Sequence, residues 1–247
     1  GVTTAAPRAN ESEISAERAT QQQMAEAAAL KRDGKPVPVT PALTARLKKV
    51  ADKVSPAGES LCKDIGRTAC KFGFKIEESP ELNAYADGQY IVVSSAMIDF
   101  TTDDELADVI AHEYAHNVMS HVATQTQNAA VGGLLGTIVD QVASARGINT
   151  GGIASQLGQN YSVMKYSVSF EQEADYVGLY IMDRAGYDIN KSPDLWRKMS
   201  QADSRGITMR TTHPSNPERY VSLQKGIDEI KAKKAAKQPL VPDFKRK

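Results

Sequence analysis

The residues with the clearest capacity for chemistry are His112, Glu113 and His116, in the run Ala111-His112-Glu113-Tyr114-Ala115-His116. On a helix, two histidines four positions apart stand on one side, one turn from each other. Both imidazoles can reach a single metal ion, and Glu113 can meet a water on that metal. Two nitrogen ligands, a carboxylate base and an open coordination position make the donor set of a hydrolytic zinc site. The pattern fixes few positions, so chance matches occur. Here, however, the chain holds only four histidines, His112, His116, His121 and His213, and two of them fill the pattern in a helical segment.

A catalytic zinc takes a third protein ligand. A continuation on the same stretch would need a glycine three residues after His116 and a histidine three further on, where Met119 and Val122 stand. The third ligand must come from elsewhere. Glu171 and Asp175, four apart on one face of a second helical segment, are the best candidates. Glu171 would bind zinc, and Asp175 would accept a hydrogen bond from the other nitrogen of a ligand histidine, fixing its tautomer. Glu173 points about 200° away from Glu171 and reads as solvated. His121, about 180° round the helix from His112, reads as a surface or structural histidine.

The elements that must position these residues follow from pattern and caps. Thr102 is an N-cap candidate, with Glu105 completing a capping box. The helix then runs through Leu106, Val109, Ile110 and the histidines to about Thr124. The helix bearing Glu171 spans about Val163 to Ala185, with Gly186 as its C-cap. Pro41 opens an earlier amphipathic helix carrying Leu43, Leu47, Val50 and Val54, and Ser192-Pro193 opens a later one carrying Leu195, Trp196 and Met199. Pro217 starts a last helix to about Ile230. Between the first helix and the histidines, Phe72, Phe74 and Ile76 alternate with polar or small residues. Asn83 to Ala86 is strand-compatible, Asp87-Gly88 signals a turn, and Tyr90 to Val93 is β-branched, which predicts a small antiparallel sheet. The expected class is α+β, mainly α. Residues 1–39 read as a peripheral or partly disordered arm and linker, 40–230 as the domain, and 231–247 as a basic, solvated tail. The glycine-rich segment 129–160 reads either as a buried helix with a flexible loop or as a mobile lid or docking element.

Composition narrows the function classes. Lys plus Arg equals Asp plus Glu at 30 each, and aromatics make up 6%, so neither the basic footprint nor the stacking surface of a nucleic-acid binder is present. No apolar run reaches the ~18 residues of a transmembrane helix, and the start is not a signal peptide. Gly1 in place of Met leaves a removed signal or lipid anchor open. Cys62 and Cys70, eight apart, fit two buried thiols and a local disulfide equally well.

His112-Glu113-x-x-His116 followed by Glu171-x-x-Ala174-Asp175 resembles the gluzincin metallopeptidase family that includes the CAAX prenyl protease and HtpX. Asn83-Ala84-Tyr85 with Tyr90-Ile91-Val92, and Thr212-His213-Pro214 with Arg219, are similar to further elements of that family. The likeness spans about residues 40–230. Without a transmembrane run the chain is most similar to the soluble, extracytoplasmic branch, and no 34-residue repeat period is present. The resemblance implies a zincin-like fold, one Zn2+ per chain and Glu171 as third ligand with Asp175 behind a histidine. It also implies His213 near the metal, either stabilising an oxyanion or filling the open position of a self-inhibited site. Arg219 would then be an oxyanion or substrate-carbonyl contact, with a structural carboxylate partner as the plainer alternative. The expected activity is endoproteolysis of unfolded or misassembled envelope proteins, with Glu113 as general base. The substrate would add as a strand along the edge strand Tyr90, Ile91, Val92, Val93 and Ser94. The alternative is a self-inhibited or chaperone-like zinc protein that binds extended segments with little proteolysis. Expected partners are polypeptides, not nucleic acid, with a periplasmic location and peripheral or lipid-anchored membrane association left open.

Overall fold

The computed structural model describes residues 1–27, 35–124, 161, 164–201 and 209–247. The helices, in chain order with the strands, are α1 (Glu11–Ala27), α2 (Pro41–Asp64), β1 (Gly73–Glu77), β2 (Ala84–Ala86), β3 (Tyr90–Ser94), α3 (Ser95–Phe100), α4 (Asp103–Val118), α5 (Val168–Arg184), α6 (Ser192–Gln201), α7 (Met209–Thr212) and α8 (Pro217–Ala235). The expected α+β class, mainly α, is the class observed. No helix among the described residues is long and apolar enough to cross a membrane.

The centre of the molecule is α4. Thr102 caps it: its side chain accepts from Glu105 N–H, and the Glu105 carboxylate accepts from Thr102 N–H, the reciprocal capping box. From Leu106 to Val118 every residue is buried, because α2 and α5 pack on it and the sheet covers its end. A helix buried on all sides has no solvated face for a polar residue, so each of its polar side chains needs a partner. The helix is shorter than expected. It stops at Met119, and Ser120 takes φ 59°, so the helical residues 121–124 run in a new direction. That turn overrides the helical projection that put His121 on the far side.

α5 lies directly against α4. Gly178 permits the approach: a Cβ there would sit 3.2 Å from the His112 backbone Cα and N. Ser167 caps α5 and Gly186, at φ 87°, follows its end. α2 starts at Pro41 under the Thr40 cap and buries Leu43, Leu47, Val50 and Val54 as expected. Cys62 near its end is joined to Cys70 by a disulfide, with Cα atoms 5.6 Å apart. The Cys70 carbonyl accepts the hydroxyl of Tyr114 from α4.

The sheet departs from expectation in two ways. It is mixed, with order β1-β3-β2: β1 runs parallel to β3, and β2 antiparallel to it. Tyr90–Ser94 is therefore the central strand, hydrogen-bonded on both sides, and not an edge. Short strands signal their pairing poorly, because order is set by what packs around them. The chain ends also differ from solvated appendages. Thr4 is fully buried and bridges Phe244, Ala5 N–H donates to Asp243 C=O, and Lys245 N–H donates to Thr3 C=O. α8 continues to Ala235, past the expected end near Ile230. The glycine-rich segment 129–160 lies outside the described residues.

Candidate metal centre

α4 and α5 bring the candidate ligands together. His112 Nε2 and His116 Nε2 are 3.1 Å apart. Glu171 sits across them, with Oε2 3.0 Å from His112 Nε2 and Oε1 3.1 Å from His116 Nε2. Donors bound to a tetrahedral zinc at its usual bond lengths lie about 3.3 Å from one another, so this triangle has the dimensions of three ligand positions. All three side chains are buried. Neither Glu171 carboxylate oxygen makes a hydrogen bond within the buried site, a costly state for an anion that the Arg219 guanidinium, 3.2 Å from Oε2, offsets at one oxygen alone.

Proton positions show why a cation fits. Asp175 Oδ1 lies 3.0 Å from His112 Nδ1, off the line of an ideal hydrogen bond. A carboxylate only accepts, so it favours the proton on Nδ1 and leaves the Nε2 lone pair turned to Glu171. The carboxylates also demand positive charge, which either a second proton on His112 or an ion at Nε2 supplies. Burial works to lower the pKa of His112, but Glu171 and Asp175 outweigh it and raise it to about 10. Burial would raise Glu171, yet His213, His112, Arg219 and His116 hold it well below the usual carboxylate range. Burial drives His116 well below its ordinary value, with His112 and His121 adding to the effect against Glu171. The carboxylates demand positive charge and the nitrogens converge lone pairs. The donor set therefore fits a divalent ion such as zinc.

Glu113, the next residue on α4, is fully buried. Its Oε1 is 2.7 Å from His213 Nε2, while Thr212 Oγ1 lies 2.9 Å from His213 Nδ1. His213 therefore donates from Nε2 to the carboxylate and accepts from the threonine hydroxyl. His112, Glu113, His116 and His213 each offer a donor atom within 4.8 Å of the others, which puts His213 at the centre itself.

Arg219 departs from its expected role. Its Nε and Nη2 grip Asp175 Oδ2 and Oδ1, each at 2.8 Å. Nη2 also lies 3.2 Å from Glu171 Oε2, and Nη1 donates to the carbonyls of Pro214 at 3.0 Å and His213 at 3.4 Å. Asp175 and the two backbone carbonyls hold the guanidinium on three of its nitrogens, the carboxylate pairing given above as the plainer alternative. Arg219 instead holds Asp175 and the turn that carries His213.

Sequence reasoning missed four residues here. Tyr166 stacks on His116 at 3.9 Å between ring centroids, and Trp196 lies 4.6 Å from His112. His121 and Glu173, read as peripheral and solvated, are both buried and bonded to each other at 2.8 Å. His121 Nδ1 is 2.9 Å from His116 Nδ1. Glu173 does point away from Glu171, but α5 is buried nearly all round, so away from the metal is not toward solvent. Tyr90 to Ser94 is brought near α4 through Asn117, whose side-chain amide donates to Tyr90 C=O at 3.3 Å.

Comparison with known proteins gives a family match and several named relatives. The model of "Peptidase family M48" matches residues 47–227. Mitochondrial metalloendopeptidase OMA1 of Saccharomyces cerevisiae is 31% identical over 156 residues, 60% of this chain and 44% of that protein. Beta-barrel assembly-enhancing protease of Yersinia pestis is 26% identical over 189 residues, 72% of this chain and 39% of that protein. The protein of the same name from Escherichia coli K12 is 25% identical over 189 residues, with the same coverage of 72% and 39%. The chain thus spans less than half the length of these curated relatives.

Proposed function

The chain belongs to peptidase family M48, and from that premise we propose that it is a zinc-dependent endopeptidase acting on extended segments of unfolded or misassembled envelope proteins. The observation that carries the reading is the triangle of His112 Nε2, His116 Nε2 and the Glu171 carboxylate, closed at 3.0–3.1 Å with both carboxylate oxygens lacking a hydrogen bond. His112, His116 and Glu171 would hold the ion. Zinc, when bound, acidifies water and polarises a scissile carbonyl. Glu113 takes the proton of the attacking water and delivers it to the leaving amine. Asp175, clamped by Arg219, keeps the His112 ring in the orientation that presents Nε2.

The Cys62–Cys70 disulfide supports an extracytoplasmic location, since such bonds persist in oxidising compartments. The Yersinia relative is named for beta-barrel assembly, which supports a reading in which envelope proteins are the substrates. Glu113→Gln tests the base. One zinc per chain should be retained while hydrolysis of an unfolded polypeptide falls by about 100-fold or more. Full hydrolysis by the zinc-loaded variant would remove Glu113 from this role.

The substrate strand is reassigned. Since β3 is central, addition of a peptide to Tyr90–Ser94 is blocked by its own neighbours. The edge on the α4 side is β2. Its ladder with β3 uses Asn83 C=O and Asp87 N–H, so Ala84 and Ala86 turn their N–H and C=O groups to the opposite side. That side faces α7: Ala84 N–H approaches the Met209 sulfur at 3.2 Å, and Met209 N–H donates to Leu82 C=O. α7 leads straight to His213. A substrate strand pairing there takes the place of Met209 against Leu82 and Ala84, with its side chains beside the 390 Å3 cavity that Trp196, Met199, Met209, His213 and Tyr220 line. Ala86→Pro removes an outward donor and leaves the hydrogen bonds of the β2–β3 ladder whole. Hydrolysis of unfolded polypeptide should drop about tenfold with zinc retained, as for a lost main-chain hydrogen bond of about 1.4 kcal/mol. Unchanged hydrolysis would reject this edge.

A further inference from the structure

The two histidine ligands differ in what stands behind them. Asp175 faces His112 directly. Behind His116 lies a chain of three links. His116 Nδ1 meets His121 Nδ1 at 2.9 Å, and His121 Nε2 meets Glu173 Oε1 at 2.8 Å. Glu173 Oε2 accepts Thr3 N–H at 2.9 Å, Thr4 N–H at 2.8 Å and the Thr4 hydroxyl at 2.6 Å. His121, Glu173 and Thr4 are all buried, and Phe170 stacks on the His121 ring at 4.3 Å.

Donor and acceptor roles along this chain are determined from its far end. Glu173 can only accept, so His121 carries its proton on Nε2. Its Nδ1 then holds a lone pair and accepts from His116 Nδ1–H. His116 is left with its lone pair on Nε2, turned toward His112 Nε2 and Glu171 Oε1. The opposite polarity would put a proton on His116 Nε2, where a metal bond must form.

We propose that His121 and Glu173 are positioning residues for His116, and that Glu173, held at its Oε2 by the N-terminal segment Thr3–Thr4, sets the tautomer that lets His116 bind the metal. The inference rests on the metal reading above. It makes the first residues of the described chain part of the metal centre. The antiparallel contacts of Thr3, Thr4 and Ala5 with Asp243, Phe244 and Lys245 hold that segment in place.

An isosteric change isolates the polarity. In Glu173→Gln, the three donors from Thr3 and Thr4 require the amide oxygen at the Oε2 position. The amide NH2 then faces His121 Nε2 and donates to it. His121 must move its proton to Nδ1 and donate to His116, which is driven to carry its own proton on Nε2. Zinc affinity, measured by competition with a chromophoric chelator, should fall by about 10- to 100-fold. The absorption bands of the cobalt-loaded form should shift, while the thermal midpoint of the metal-free protein stays near that of the parent. A purely structural hydrogen bond would not move the metal readouts in this way. Equal zinc affinity in parent and variant overturns the inference. A parent that binds no zinc overturns the metal reading instead. A second measurement needs no variant: nitrogen-15 spectra of the zinc-loaded parent should show His121 protonated at Nε2 and His116 at Nδ1. His121 protonated at Nδ1 overturns the inference even if Glu173→Gln fails to fold.

Discussion

Glu113 is engaged before any substrate arrives. His213 donates to it at 2.7 Å, and His112, Glu113, His116, Glu171 and His213 are each 2% exposed or less. A base already bonded to an imidazole N–H must be released before it can take a proton from water, which is what the self-inhibited alternative requires. His213→Ala should free Glu113 and open room beside it. The expected result is faster hydrolysis of an unfolded polypeptide, several-fold, with zinc content unchanged. A loss of hydrolysis would make His213 a contributor to the chemistry rather than a latch. At this scale His112, Glu113, His116, Glu171 and Asp175 were legible because both spacings are local to a helix and helical geometry converts them into faces. His121 and Glu173 were not. Their partnership depends on the left-handed turn at Ser120, a residue type that does not announce φ 59°, and on α5 having no solvated side.

At the scale of elements, the contact of α4 with α5 decides whether the ligands meet, and Gly178 sets its spacing. Gly178→Ala brings two opposing effects. Alanine in place of a helical glycine gains about 1 kcal/mol of helix propensity. A Cβ 3.2 Å from the His112 backbone costs about 1–3 kcal/mol of overpacking unless α5 moves. Fold stability should therefore change little or fall by about 1–2 kcal/mol. The metal centre has no such compensation, because Glu171 and Asp175 lie on the helix that is pushed and His112 on the one it is pushed from. Zinc affinity should fall about tenfold or more, measured by chelator competition beside a denaturant titration. Unaltered affinity would mean that the helices absorb the methyl elsewhere. Element identity was largely legible here: the capping box of α4, the Pro41 start of α2 and the Gly186 end of α5 all stand where their signals are. Strand order was not, since β3 is central by pairing with β1 on one side and β2 on the other, and nothing in Tyr90–Ser94 announces either partner.

For the whole molecule, the metal centre is a joint between parts distant in sequence. His112 comes from α4, Glu171 and Asp175 from α5, His213 from the turn after α7, Arg219 from α8, and Thr3 and Thr4 from the chain start. An unfolded chain holds none of these together, so a ligand of the centre binds the folded form alone and stabilises it by mass action. At free zinc 1,000 times its dissociation constant the gain is about 4 kcal/mol. Removing zinc with a chelator should lower the thermal midpoint accordingly, and adding zinc back should restore it. Magnesium should not replace it, because this nitrogen-rich donor set suits zinc and not a hard cation that prefers oxygen. The dependence should be graded, rising with the logarithm of free zinc. The disulfide contributes separately. Its loop closes over few residues, so reducing Cys62–Cys70 should cost about 2–3 kcal/mol in the chain-entropy treatment with little effect on zinc affinity, since the bridge clips α2 to the segment before β1 on the far side of Tyr114. A thermal midpoint indifferent to free zinc in the oxidised protein would mean that the folded and unfolded chains bind it equally, and that the convergence of His112, His116 and Glu171 does not form a metal site.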